Sequence, residues 1–127
     1  MERQPILIVD DNPVNMKLIR VLLSGEGYEV RTASNATETL DLLNGFRPVL
    51  ILMDIQLPGI DGLELTRRLK SSPSTRDIPV LGLTAYAMKG DEERILAAGC
   101  DAYLSKLIDT RALPGVIKKW LGNTASQ

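Results

Sequence analysis

Five side chains in this sequence could do chemistry together if the fold gathered them: Asp10, Asp11, Asp54, Thr84 and Lys106. Each ends or follows a short apolar run: "PILIV" before the two acids, "VLILM" before Asp54, "IPVLGL" before Thr84, "AYLS" before Lys106. Three crowded carboxylates repel one another unless a cation lies between them. Oxygen-only ligands with no histidine favour a hard divalent ion, Mg²⁺ before Ca²⁺, with waters completing an octahedron. A metal beside a carboxylate, a hydroxyl and an ammonium makes a site for a phosphoryl group. The metal and ammonium neutralise its oxygens, and the hydroxyl hydrogen-bonds to one of them. One carboxylate could then be the nucleophile and form an acyl phosphate. Asp54 is the candidate, because it follows the most apolar run and precedes the turn "IQLPGIDG"; Asp10 and Asp11 would hold the metal. Taken singly, each residue has an ordinary structural explanation. Their shared place at the strand ends favours the chemical one.

The elements that must position them alternate along the chain. "PILIVD", "YEVRTA", "PVLILMD", "IPVLGLTA" and "AYLSK" are short and rich in Val, Ile and Leu. The first, third and fourth are continuously apolar, as strands covered on both faces are. Between them lie stretches with helical spacing. "NPVNMKLIRVLLSGEG" starts with Asn12 as N-cap and Pro13 at the first helical position, and it stops at glycines. "NATETLDLLNG" offers Asn35 as cap with Glu38 three residues on, a variant of the capping box. "GLELTRRLK", "KGDEERILAAG" and "DTRALPGVIKKWLG" supply three more helices. In the last, Leu113, Val116, Ile117, Trp120 and Leu121 form one apolar stripe, and Pro114 places the helix start near Ala112 or slightly before. Residues 71–77 are expected to form a loop, and roughly 123–127 a disordered tail. Alternating strands and helices imply an α/β fold, a doubly wound parallel sheet with helices on both faces. Ligands of such sheets sit beyond the carboxyl ends of the strands.

Composition narrows the function classes. The 127 residues suffice for one domain over 1–127 with a proper core, and the net charge of −1 gives no global attraction to nucleic acid or anionic membranes. With no histidine, Ser-His and Cys-His catalysis is excluded, and the single Cys100 reads as a small apolar residue near a turn. No segment is long and apolar enough to span a membrane, and the N-terminal apolar run is too short for a signal peptide. A cytoplasmic location is the expectation.

The pieces "ILIVDDN", "PVLILMDIQLPGIDGLEL", "IPVLGLTAYAMKGD" and "GCDAYLSK", in this order, closely resemble the receiver domain of two-component response regulators, over nearly the whole chain. The wording around "NMKL", "ILMDIQLP" and "AMKGDEERI" is most similar to DivK-type single-domain regulators, and also to receivers of hybrid histidine kinases. The resemblance implies the flavodoxin-like form of the fold: five parallel strands in the order 2-1-3-4-5 and five helices. It implies Mg²⁺-dependent phosphoryl transfer to Asp54 from a phosphohistidine on a histidine kinase or histidine phosphotransfer protein. Asp10 and Asp11 match the family's metal acids, and Gln56 the position whose backbone carbonyl completes the metal shell. Thr84 matches the switch hydroxyl, Lys106 the phosphate-binding lysine and Tyr103 the aromatic switch. Ala85 leaves room for the phosphoryl group, and Tyr86 matches a position that tunes acyl-phosphate hydrolysis. Met53 remains plain core. The resemblance implies a phosphoacceptor signalling protein that assists its own phosphorylation and dephosphorylation, rather than a conventional enzyme. No output domain is expected after the fifth helix, and the signal would pass to a downstream protein through the face of the fourth helix, fifth strand and fifth helix. The protein is expected as a monomer or weak dimer.

One position departs from the pattern. The family has proline after the lysine, usually through a cis bond, and here Leu107 follows Lys106. A cis bond before a non-proline residue costs roughly 2.5–4 kcal/mol, against about 0.5–1 before proline. The Lys106–Leu107 peptide is therefore predicted to be trans, with a displaced following loop and a less well aimed Lys106. The alternative function is a receiver-like docking module with impaired or no phosphorylation. A flavodoxin-like cofactor binder fits poorly, since "VDDNPVN" puts two negative charges where a phosphate would sit. A haloacid-dehalogenase phosphatase would want an acid at position 56, which is Gln.

Overall fold

A computed structural model of the chain describes residues 4–55, 62–84, 89–105 and 113–125. Strands and helices alternate: β1 (Pro5–Val9), α1 (Pro13–Gly25), β2 (Glu29–Ala33), α2 (Ala36–Leu43), β3 (Leu50–Asp54), α3 (Gly62–Ser71), β4 (Val80–Thr84), α4 (Lys89–Ala97), β5 (Ala102–Ser105) and α5 (Leu113–Ala125). The five strands form one parallel sheet in the order β2-β1-β3-β4-β5, as expected. The continuously apolar runs are the three inner strands, and the more polar β2 and β5 are the edges.

Strand periodicity sorts the core into two layers, because successive side chains point to opposite faces. Leu7, Val9, Ile51, Met53 and Val80 pack with Leu65 and Leu69 of α3, Ile95 of α4 and Leu42 and Leu43 of α2. Ile6, Ile8, Leu50, Leu52, Leu81 and Leu83 pack with Ile19 and Leu23 of α1 and with Leu113 and Ile117 of α5. Helices α1 and α5 thus cover one face, and α2, α3 and α4 the other.

Local chemistry sets the helix ends. Asn12 caps α1, with Oδ1 accepting from the N–H groups of Val14 (2.9 Å) and Asn15 (3.2 Å), and Pro13 opens the helix. Gly27, at φ +97°, turns the chain from α1 into β2 in a conformation that disfavours a side chain. Asn35 caps α2 by accepting from Glu38 N–H at 2.8 Å. The capping box is shifted by one residue, however. The Glu38 carboxylate takes the N–H and the hydroxyl of Ser34, both at 2.8 Å, and these bonds hold its pKa below the usual range.

Helix α5 starts at Leu113 with Pro114 in its first turn; Leu113 and Ile117 are buried, and Val116 and Trp120 half-buried. It runs on to Ala125. Helix α1 carries more apolar residues than its buried stripe needs. Val14, Leu18 and Val21, at helical spacing, remain 73%, 47% and 60% exposed. With Pro13 and Lys17 they line an apolar groove of about 600 Å³. Among the described residues, no helix is long and apolar enough to cross a membrane.

A candidate acidic site at the strand ends

The sheet register brings the acids together. Val9 of β1 pairs with Met53 of β3, so one further step sets Asp10 level with Asp54. Asp10 N–H donates to Ala33 O at 3.0 Å, which carries the β1–β2 ladder one residue past Val9. Asp10 and Asp54 are both fully buried, whereas Asp11 is exposed at the mouth. One carboxylate oxygen from each of the three lies within 4.8 Å of the others. Two carboxylates removed from water at such spacing are costly unless a positive charge offsets them. Three oxygen donors without nitrogen or sulfur suit a hard divalent cation, and Mg²⁺ in particular, which keeps several waters and takes few carboxylates. The donor set therefore fits the expected ion.

Two neighbours hold the acids in place. Asn12 N–H donates to Asp10 Oδ1 at 2.9 Å, so the residue that caps α1 also fixes a site carboxylate. Gly62, the first residue of α3, donates its N–H to Ile55 O at 3.1 Å and lies against the Asp54 backbone. A β-carbon there would overlap the Asp54 carbonyl oxygen and stand 2.5 Å from Ile55 Cα. Thr66, one turn on, donates its hydroxyl to Gly62 O at 2.7 Å.

The other expected residues stand as follows. Thr84 ends β4 and pairs with Ser105 of β5. Because Leu83 pairs with Asp54, the Thr84 backbone lies one residue beyond the level of the acid. Tyr103, on β5, is half-buried against the α2–α3–α4 core layer, and Met53 is buried core. Gln56, Ala85, Tyr86, Lys106 and Leu107, with the Lys106–Leu107 peptide, lie outside the described residues. Cys100 is buried and its S–H donates to Thr66 Oγ1 at 3.9 Å. Burial pushes the thiol pKa up, with the Thr66 bond partly opposing, which fits an inert structural cysteine.

In the sequence Asn12 reads only as a helix cap, and Gly62 only as the start of a helix. The first has no sequence signal beyond its place after the acid pair. The second could have been suspected, since a glycine opening a helix suggests close backbone approach. The exposed strip of α1 was legible in the spacing of Val14, Leu18 and Val21, but it merged with the core stripe.

The parallel β2-β1-β3-β4-β5 sheet with an acid triad at its carboxyl edge defines a class, and comparison with known proteins agrees. The chain belongs to the response regulator receiver domain family, whose sequence pattern matches residues 6–118. Among individual proteins it is similar to the polar-differentiation response regulator DivK of Brucella anthropi, 52% identical over 118 residues that cover 93% of this chain and 96% of that protein. DivK of Brucella ovis is 50% identical over the same lengths. Among solved structures, it resembles the receiver domain of a sensor histidine kinase from Pseudomonas aeruginosa PAO1, described with a magnesium ion coordinated in its active site cleft. That match has a TM-score of 0.86 and 36% identity, covering 95% of this chain and 99% of the other. A CheY-like receiver domain protein from Methanospirillum hungatei JF-1 matches with a TM-score of 0.87 and 33% identity, covering 96% of each chain. The chain is thus a two-component response regulator receiver, DivK-like in sequence.

Proposed function

We propose that this receiver accepts a phosphoryl group on Asp54 from a phosphohistidine of a histidine kinase or histidine phosphotransfer protein, and that phosphorylation switches a protein-interaction face. The observation that carries the reading is the convergence of Asp10, Asp11 and Asp54 within 4.8 Å at the carboxyl ends of β1 and β3. In the transfer, an Asp54 carboxylate oxygen forms a bond to phosphorus as the donor's N–P bond breaks. The histidine leaves as imidazole after taking up a proton. Asp10, Asp11 and Asp54, with the Gln56 carbonyl, would hold Mg²⁺. That ion supplies positive charge against the phosphoryl oxygens. Thr84 and Lys106 would bind the phosphoryl oxygens by hydroxyl and ammonium, beside the small Ala85, and Tyr86 would tune hydrolysis.

The buried setting of Asp54 supports this role, because fixed donors and charges act most strongly where water is excluded. The exposed apolar strip of α1 starts three residues after Asp11, at Val14, and suits a donor docking beside the acids. Thr84 and Tyr103 would report the phosphoryl group to the face of α4, β5 and α5. A downstream protein that prefers one of their two arrangements shifts the population toward it. Borohydride reduction tests the assignment. It converts an aspartyl phosphate to homoserine, and peptide mass mapping should find that change at Asp54 and at no other acid.

A further inference from the structure

We infer that Asn12 is a positioning residue for the cation site, and that the α1 cap and the Asp10 carboxylate work as one hydrogen-bonded unit. The Asn12 backbone is extended, at φ −94° and ψ 108°, while its side-chain Oδ1 accepts from Val14 N–H and Asn15 N–H. Those two bonds tie the Asn12 side chain to the first turn of α1. They thereby set the direction of its own N–H, which donates to Asp10 Oδ1 at 2.9 Å. Asp10 is fully buried, so this N–H orients a carboxylate that water does not reach. Partners that orient a metal ligand commonly decide affinity as much as the ligand does. A residue without a capping side chain at this position would leave Val14 and Asn15 N–H groups to water and let the Asn12 N–H swing. The carboxylate would then be less well aimed at a cation shared with Asp11 and Asp54. A second asparagine provides the control. Asn35 caps α2 in the same way, by accepting from Glu38 N–H at 2.8 Å, and it belongs to no acid triad.

The inference rests on reading the three acids as a cation site, and the test separates the two ideas. Mn²⁺ binding to the full chain is titrated by electron paramagnetic resonance, with Mg²⁺ as competitor, for wild type, Asn12→Ala, Asn12→Ser and Asn35→Ala. Thermal unfolding of each variant measures the stability lost. We expect Asn12→Ala to bind about tenfold more weakly, at the lower end of what oriented ligand partners contribute. Asn12→Ser, which can still cap, should restore most of the affinity. Asn35→Ala should lose comparable stability and keep wild-type affinity. Wild-type affinity in Asn12→Ala would overturn the inference alone, as would an equal loss in Asn35→Ala. Absence of binding by wild type would overturn the cation reading, and the inference with it.

Discussion

Gly62 and Asp54 are in backbone contact: the first residue of α3 lies so close to the end of β3 that a β-carbon on Gly62 would stand 2.8 Å from the Asp54 carbonyl carbon. The proposed phosphoacceptor is therefore held from behind by helix backbone. Gly62→Ala cannot be relieved by a side chain moving, because the atoms in the way are main chain. The variant is expected to lose about 3 kcal/mol, measured by urea unfolding, since overpacking costs about 1–3 kcal/mol and a clash with main chain lies at the upper end of that range. In whatever fraction folds, labelling of Asp54 should be slowed. A variant with wild-type stability would show that β3 and α3 are not pressed together as described.

At the opposite end of the sheet, Lys70 ties three segments together. Its ammonium donates to Asp101 Oδ2 at 3.0 Å, to Ile78 O at 2.8 Å and to Arg76 O at 3.3 Å, while Asp101 Oδ2 also accepts from Val80 N–H at 2.8 Å. Lys70→Met keeps the apolar stem and removes all three bonds. A loss of about 1–3 kcal/mol is expected, with phosphorylation of Asp54 unchanged, because Lys70 lies by the strand starts and Asp54 at a strand end. Unfolding curves that superimpose on wild type would refute the role given to Lys70.

Leu18 tests the donor-docking strip. It is 47% exposed, so Leu18→Glu should change stability by no more than about 0.5 kcal/mol. Transfer from a phosphohistidine donor should fall about tenfold, equivalent to about 1.4 kcal/mol of lost contact. Labelling by a small acyl phosphate, which needs no docking, should stay at the wild-type rate. Equal transfer from the protein donor would remove α1 from the proposed interface.

Leu107 is the sequence's departure from its family. If the missing proline leaves Lys106 poorly aimed, Leu107→Pro should raise the phosphorylation rate, by roughly tenfold for about 1.4 kcal/mol of barrier. Stopped-flow phosphorylation of the two chains decides it. Equal rates would mean that Leu107 leaves the site unimpaired.

The alternation of strands and helices in a parallel sheet was legible in the sequence, because continuous apolar runs mark strands covered on both faces and helical spacing marks their covers. The strand order followed only from the family resemblance. Asp10, Asp11 and Asp54 were legible as strand-end acids for the same reason. The hydrogen bond from Asn12 to Asp10, the backbone contact at Gly62 and the three-way tie at Lys70 were not. Each depends on a distance between segments, or on a main-chain group, that a residue's type does not announce. Helix ends were legible where a cap names itself, as at Asn12 and Asn35. They were less so where the partner is chosen by geometry, as Glu38 takes Ser34.

The most direct test of the phosphoacceptor assignment is intact mass spectrometry after incubation with a small acyl-phosphate donor, with Mg²⁺ and with chelator. Wild type should gain one phosphoryl group with Mg²⁺ and lose that gain with chelator, and Asp54→Asn should gain none. Label on both proteins, or on neither, would contradict Asp54 as the acceptor.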